Sequence, residues 1–248
     1  MDYLVGFLIA AAIGLTGVGA GTITAPVLMI FFRLPPAIAV GTALTYSAVV
    51  KLAVLPIYIG RKQIDWRILL LLCAGGIPGV LAGVYLIGNL GGRNHDNVLF
   101  FVLGATILVT ASCSLYRSLK SRLIGTSRDR TRWLPPIAAV IGAEVGFSSA
   151  GAGALGSLAL LNLTRLTPAE VVGTDVVFGL VLSLIGGSFH FFSGHYDAVL
   201  LPHLIIGGIA GALTGANLSA ILPSRPLRVG LAVWLASLGI QLCWKAIA

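Results

Sequence analysis

The chain has few charged residues. Asp, Glu, Lys and Arg make up 10% of its 248 residues, and only 8 residues are acidic, whereas soluble domains carry roughly 25% charged residues. No stretch is polar and long enough to form a separate soluble domain. Apolar runs of about 20 residues, each long enough to cross a bilayer, recur instead, and the mean hydropathy is +1.00. The sequence therefore predicts an all-α polytopic membrane protein with one membrane domain, residues 1–248.

Cysteine is scarce, and recognisable catalytic motifs are missing. Cys73, Cys113 and Cys243 are far apart and have no metal-like spacing, which argues against a disulfide framework or a metal site. We interpret them as small buried hydrophobes. No serine–histidine, paired-aspartate or His-Glu-x-x-His arrangement is present. The sequence predicts neither enzymatic activity nor a cofactor.

The net charge of +8 reflects membrane orientation rather than nucleic-acid binding. Lys and Arg collect in loops on the cytoplasmic side of membrane proteins. The linker 117–132, "RSLKSRLIGTSRDRTR", is the most basic segment, and we expect it to be cytoplasmic. The expected location is the plasma membrane of a prokaryote, where the partners are the lipid bilayer and a small anion. Oligomeric state stays open.

An internal repeat organises the chain. With an offset of 132 residues, "RLPPAIAVGT" (33–42) aligns with "RLTPAEVVGT" (165–174), and 25 of the 76 residues from 11 to 86 have an identical mate without a gap. We therefore predict repeat one at 1–120 and repeat two at 133–248. Each repeat has four apolar stretches, approximately 3–32, 36–60, 64–89 and 97–119, then 133–163, 168–194, 198–222 and 227–247.

The first stretch of each repeat decides the topology. If it crosses the membrane once, the repeats are parallel and the loops divide Lys and Arg less sharply. If it folds back as a re-entrant hairpin, the repeats are inverted and loop Lys and Arg divide 12 to 3. The positive-inside rule favours the sharper division. We expect two inverted repeats, each a broken hairpin followed by three transmembrane helices, although single bent spans stay an alternative.

Both hairpins contain a glycine-rich break in the middle of an apolar stretch. Irregular backbone at membrane depth is tolerated only where protein or a water-filled cavity receives it, and a half-helix that starts there presents its positive end. Two positive helix ends that meet near the bilayer midplane are typical of an anion-binding site in a transporter. The alternative is helix packing through small residues. The break residues that we expect to bind substrate are Gly19, Ala20, Gly21, Thr22, Ser149, Gly151, Ala152 and Gly153.

Ionisable residues inside the spans are the other candidates for the transport site. A charged side chain at membrane depth is energetically costly and is usually functional. Lys51 lies about ten residues from one end of its segment, ~15 Å deep at helical rise, and is our candidate anchor for an anion; a structural ion pair is the alternative. Asp175 is either its partner or a proton carrier. Glu144, just before the second break, is the other candidate for proton coupling. The repeat mates Thr42 and Thr174 either contact an oxyanion or bond back to a helix carbonyl.

Glycine spacing and acidic residues elsewhere have structural explanations. Gly75, Gly79 and Gly83, and their mates Gly207, Gly211 and Gly215, recur every four residues in regular helices, which is typical of packing faces. Asp65 and Asp197 each open a segment after a polar turn, and we expect both to be N-caps.

These residues resemble a known family. The motif G-x-G-A-G-x-x-x-x-P-x-L (17–28), the basic turn "RKQIDW" (61–66) and "VGTDVVFGLVLSLIGG" (172–187) look like the TauE/SafE family, and the resemblance covers essentially the whole chain. The family implies an exporter of sulfite, sulfoacetate or a related organosulfur anion, built from duplicated modules. One departure is Leu158, where repeat one has Pro26, so the two breaks need not bind equivalently.

The expected function is therefore secondary transport of a small sulfur-containing oxyanion, outward, by alternating access. A passive small-anion channel and an importer of a related anion are the alternatives. A channel would show no dependence on a coupled ion. The sequence leaves the exact substrate, the direction and the coupling ion open.

Overall fold

The computed structural model describes residues 2–16, 20–90, 96–120, 130–150, 152–218 and 224–247. These residues form helices joined by turns, which confirms the all-α class. The helices are α1 (Asp2–Thr16), α2 (Ala20–Phe31), α3 (Pro36–Gly60), α4 (Trp66–Leu90), α5 (Asp96–Lys120), α6 (Leu134–Ser148), α7 (Leu155–Leu163), α8 (Pro168–Phe192), α9 (Leu200–Leu218) and α10 (Ser224–Ile247). The basic linker lies largely outside the described residues, at 121–129.

Six of these helices are long and apolar enough to cross a membrane: α3, α4 and α5, then α8, α9 and α10. The long first stretch of each repeat is instead divided into two short helices, α1 with α2 and α6 with α7. In the second break Ser149 has φ 61° and Gly153 has φ 99°, which a right-handed helix does not accommodate. The centre of the first break, 17–19, lies outside the described residues.

Local sequence signals fix where the spanning helices begin. The Asp65 carboxylate accepts a hydrogen bond from the Ile68 N–H at 3.0 Å, and the Asp197 carboxylate accepts one from the Leu200 N–H at 2.9 Å. Both predicted N-caps are therefore confirmed. Helix α8 begins with a capping box between Thr167 and Glu170.

Two helix pairs pack face to face through glycine. A Cβ atom added to α9 at these glycines would overlap backbone of α1; the pairs are Gly207 with Tyr3, Gly211 with Phe7 and Gly215 with Ala11. The mates in repeat one pack in the same way; the pairs are Gly75 with Pro135, Gly79 with Ala139 and Gly83 with Ala143 of α6. The predicted packing faces are confirmed. Both register series also show that α1 runs parallel to α9, and α6 parallel to α4.

The direction of α1 shows that the first stretch folds back. Tyr46 of α3 donates a hydrogen bond to the Gly6 carbonyl at 2.6 Å, and further along both helices Gly14 and Val54 line one cavity. Helices α1 and α3 therefore run in the same direction. Because α2 connects them, α2 must carry the chain back, as a hairpin requires.

The repeat mates α3 and α8 run antiparallel at the centre of the molecule. Lys51 contacts Ser183, whereas Gly41, near the start of α3, packs against His190, near the end of α8. The mates α5 and α10 are also antiparallel, since Gly104 packs against Cys243 and Gly239 against Leu108. Antiparallel mates are consistent with inverted repeats related by a pseudo-two-fold axis between α3 and α8.

Candidate functional site

Lys51 lies at the centre of the antiparallel α3–α8 pair. Its side chain is only 5% exposed. The Lys51 ammonium donates to the Ser183 hydroxyl at 3.2 Å, and Ser183 donates to the Ser47 hydroxyl at 3.2 Å. Lys51 and Ser183 are themselves repeat mates, 132 residues apart. A cation therefore lies where the repeat mates α3 and α8 meet, and it donates to the hydroxyl of its own repeat mate.

Glycine makes room for this ammonium group. A Cβ atom on Gly179 of α8 would lie 2.7 Å from Lys51 Nζ and 3.2 Å from the Ala152 Cβ. Any larger residue at 179 would compete with the ammonium for the same space. The space that holds the Lys51 ammonium is thus bounded by α8 and by the second break.

Asp175 faces the second break and is 2% exposed. Its carboxylate accepts a hydrogen bond from the Ser157 hydroxyl at 2.5 Å and another from the Gly153 N–H at 3.4 Å. Gly156 lacks the Cβ that would collide with the carboxylate. The carboxylate therefore sits at the N-terminal end of α7, where the helix dipole stabilises a negative charge.

The second break holds a charge of the chain itself. The carboxylate of Asp175 occupies the positive helix end at which we expect a substrate anion to bind, and substrate binding at this break stays a prediction. The same carboxylate and the Lys51 side chain line one small cavity. Asp175 thus links the broken element to the buried lysine.

A small cavity of about 30 Å³ adjoins Lys51. It brings together four of the predicted site residues, namely Lys51, Ala152, Gly153 and Asp175, with walls from α1, α3 and α9. A cavity of this volume holds about two water molecules. We call it the Lys51 cavity.

Thr42 and Thr174 are engaged elsewhere. The Thr42 hydroxyl accepts a hydrogen bond from the Asp197 N–H at 3.0 Å, and the Thr174 hydroxyl accepts one from the Asp65 N–H, also at 3.0 Å. Each threonine thereby ties its helix to the start of a helix in the other repeat. Neither is among the residues lining the Lys51 cavity, and their role in substrate binding stays a prediction.

The remaining predicted residues lie around the two breaks. Thr22, in the first turn of α2, and Ser149 are buried, and within the described part of the chain their hydroxyls have no hydrogen-bond partner. The same holds for both carboxylate oxygens of Glu144. Ala20 and Gly21 form the first two positions of α2. Gly19 and Gly151 lie outside the described residues.

Five site residues were missed by the sequence analysis: Ser47, Ser157, Gly156, Gly179 and Ser183. Serine and glycine are common in membrane helices, so their presence alone carries no signal. The 132-residue offset could have identified Ser183, because it pairs with Lys51. Among the described residues, no group of three or more His, Cys, Asp or Glu could hold a metal ion.

Known proteins match the chain over nearly its full length. The family model described as "Sulfite exporter TauE/SafE" matches residues 3–242. The "Probable membrane transporter protein YjnA" of Bacillus subtilis is 28% identical, over 96% of this chain and 97% of the relative. "YunE" of the same organism is 26% identical over 97% and 96%, and a "Probable membrane transporter protein" of Haemophilus influenzae is 24% identical over 98% and 97%. No solved structure matches the chain.

Proposed function

The chain belongs to the TauE/SafE sulfite exporter family of membrane transporters, and from this premise we propose that it exports a small sulfur-containing oxyanion by alternating access. Sulfite, sulfoacetate or a similar sulfonate is the proposed substrate. The proposed location is the plasma membrane of a prokaryote, with the linker 117–132 in the cytoplasm. The family and the six apolar helices support a multi-pass membrane transporter.

The observation that carries this proposal is the buried cation where the repeat mates α3 and α8 meet. An ammonium group at membrane depth is costly without a function or a partner. Among the described residues Lys51 has one neutral hydrogen-bond partner, Ser183, and Asp175 accepts hydrogen bonds from Ser157 and Gly153. The lysine therefore retains donor capacity for an anion. Thr22 and Ser149, whose buried hydroxyls have no partner among the residues that the structure describes, would supply further donors when the protein opens.

A counterflow experiment tests transport against the channel alternative. Proteoliposomes loaded with unlabelled sulfite should accumulate external radiolabelled sulfite transiently above its equilibrium level, because an alternating-access carrier exchanges one substrate for another. Liposomes without protein provide the background. A simple approach to equilibrium without overshoot, together with a current that reverses with the anion gradient, would instead identify a passive channel.

Glu144 is the residue that we propose for proton coupling. Its buried carboxylate oxygens have no partner in the described part of the structure, and an unpaired carboxylate is costly away from water. A proton bound in the occluded state and released to water would couple transport to pH. Asp175 is the second candidate, but its hydrogen bonds at the end of α7 favour a fixed structural charge.

We therefore expect Glu144→Gln to abolish the stimulation of sulfite flux by a pH gradient while sulfite exchange at equal pH continues. Glu170→Gln is the matched control, since Glu170 has an exposed carboxyl in a capping box and glutamine also satisfies that box. Flux is measured in proteoliposomes with and without a pH gradient of one unit. An unchanged response of Glu144→Gln to the gradient would remove Glu144 from the coupling mechanism.

A further inference from the structure

The Lys51 cavity occupies one half of the α3–α8 pair, and inverted repeats give it a counterpart in the other half. From Lys51 the cavity extends along α3 as far as Tyr58. The mates of these two residues on α8 are Ser183 and His190. Because α3 and α8 are antiparallel, His190 and Tyr58 lie on opposite sides of the contact between Lys51 and Ser183. We call the half of the pair in which α3 begins and α8 ends the His190 half.

In the His190 half the counterpart of the Lys51 cavity is closed. A Cβ atom added to Gly186 would lie 3.2 Å from the Leu44 Cδ1, 3.2 Å from the Val80 Cγ2 and 3.6 Å from the Val84 Cγ2. The mates of these four residues all line the Lys51 cavity. The pairs are Gly186 with Val54, Leu44 with Val176, Val80 with Ala212 and Val84 with Ala216. Positions that surround open space in one half are thus packed together in the other, as a carrier built from inverted repeats requires.

His190 is buried in the closed half without a hydrogen-bond partner. It is 1% exposed, and neither ring nitrogen has a partner among the residues that the structure describes. The backbone of Gly146 in α6 lies beside the ring, and on the α3 side a Cβ atom on Gly41 would lie 2.7 Å from the His190 Cβ. A neutral imidazole has one N–H donor and one acceptor nitrogen, and such a group is costly to bury unpaired. This cost indicates that the ring has a function beyond packing.

His190 lies on the same face of α8 as the hydroxyl that contacts Lys51. Ser183 and His190 are seven residues apart, which is about two helical turns or ~10 Å along the axis. Gly187 lies between them, and a Cβ atom there would lie 3.2 Å from the backbone of Thr45 in α3. The start of α3 therefore covers this face of α8. Separation of the two helices at this end would join the contact with Lys51 to His190 in one cavity.

We propose that His190 binds the transported anion after it leaves Lys51, at a second site that forms when the His190 half opens. This inference rests on the proposed function and adds a second binding position to it. The ligand is a small oxyanion, because the imidazole offers an N–H donor and the ring of His195, with its centroid 5.8 Å away, offers another. Asp197, two residues beyond His195, directs its carboxylate to the start of α9. A bound water, which commonly satisfies buried polar groups, is the competing occupant.

His190→Leu tests the role of the imidazole in transport. Exchange of radiolabelled sulfite in proteoliposomes should fall about 10- to 100-fold, the range for losing a hydrogen bond to a charged group. Equilibrium binding to the purified full chain should stay within about twofold of the wild type, because Lys51 is intact. His190→Gln keeps an N–H donor and should retain most of the exchange. His195→Leu is the matched control for loss of an imidazole in this region, and it should exchange sulfite normally.

Gly186→Leu tests the site without relying on transport rates. Leucine does not fit against Leu44 and Val80, so this variant should hold the His190 half open and make His190 reactive towards diethyl pyrocarbonate. Sulfite should then lower the modification of His190 at least tenfold relative to that of His195 in the same molecule, as read by mass spectrometry. Gly88→Leu is the control, because no atom lies within 4 Å of a Cβ atom at Gly88. In that variant His190 should stay unreactive.

Failure of this site and failure of the proposed function give different results. Normal exchange by His190→Leu, or a reactive His190 that sulfite does not protect in Gly186→Leu, would assign the ring to water and overturn the second site alone. An unreactive His190 in folded Gly186→Leu would overturn the opening on which the site depends. Loss by His190→Leu of only the stimulation by a pH gradient would make the residue a proton carrier and also overturn the site. A wild-type protein that neither binds nor exchanges sulfite would overturn the proposed function.

Discussion

Replacement of Lys51 by methionine is expected to lower sulfite flux by about 100- to 1000-fold. The ammonium lies within the α3–α8 pair, 5% exposed, where the attraction between two unit charges 4 Å apart is ~4 kcal/mol at an effective dielectric of 20. Loss of ~3–4 kcal/mol corresponds to two to three powers of ten in binding. Methionine keeps much of the side-chain volume and removes only the charge and the hydrogen bond to Ser183. The measurement is initial uptake of radiolabelled sulfite into proteoliposomes.

The single variant also leaves Asp175 without its cationic neighbour, so a control must preserve charge balance. Lys51→Met combined with Asp175→Asn removes both charges, and asparagine still accepts a hydrogen bond from Ser157. This double variant should fold and still fail to transport. Lys51→Arg keeps a charge but is larger and should retain part of the flux. Near-normal flux in the double variant would show that the lysine balances Asp175 and does not anchor the anion.

Replacement of Asp175 by alanine is expected to lower the free energy of unfolding by ~3–5 kcal/mol, the range for leaving a buried charge uncompensated. The change removes the carboxylate that shares a cavity with the Lys51 ammonium, and it removes an acceptor of the Ser157 hydroxyl and of the Gly153 N–H. The resulting void beside Gly156 adds to the loss. The measurement is thermal or denaturant unfolding of the purified protein in detergent.

A double-mutant cycle separates the charge from the hydrogen bonds. If Asp175 compensates Lys51, the combination of Asp175→Ala with Lys51→Met should be less destabilised than the sum of the two single variants. Ser157→Ala, which removes one donor but leaves both charges, should cost only about 1 kcal/mol. Additive losses in the cycle would mean that Asp175 acts on α7 alone and has no coupling to the lysine.

The sequence located the broken elements and the buried charges, because both contradict the ordinary composition of a spanning helix. Glycine destabilises the interior of a helix, so the glycine cluster at 17–21 and the glycine-rich segment around Gly151 are not typical of a regular apolar helix. Lys51 and Asp175 are rare at membrane depth. The glycines spaced by four residues from Gly75 to Gly83 predicted close helix contacts, which the structure confirms.

Other features depended on contacts between helices that no local pattern encodes. Ser183 is one serine among several in apolar helices and gains its role only because α8 crosses α3 antiparallel, opposite Lys51. Asp175 reaches the end of α7 because the second break folds back over α8. The threonines were expected either to contact an oxyanion or to bond back to a helix carbonyl; the structure shows each hydroxyl accepting a hydrogen bond from a backbone N–H at a turn of the opposite repeat, a contact that no local pattern predicts. Register between distant helices is set by packing, and the sequence shows only which residues are available for it.

Equilibrium binding of radiolabelled sulfite to the purified protein tests the role of Lys51 most directly. The comparison is between the wild type and the charge-balanced double variant Lys51→Met with Asp175→Asn, both shown to be folded by their unfolding transitions. The structure predicts saturable binding by the wild type and at least 100-fold weaker binding by the double variant. Equal affinity of the two proteins would contradict the assignment of Lys51 as the anion anchor.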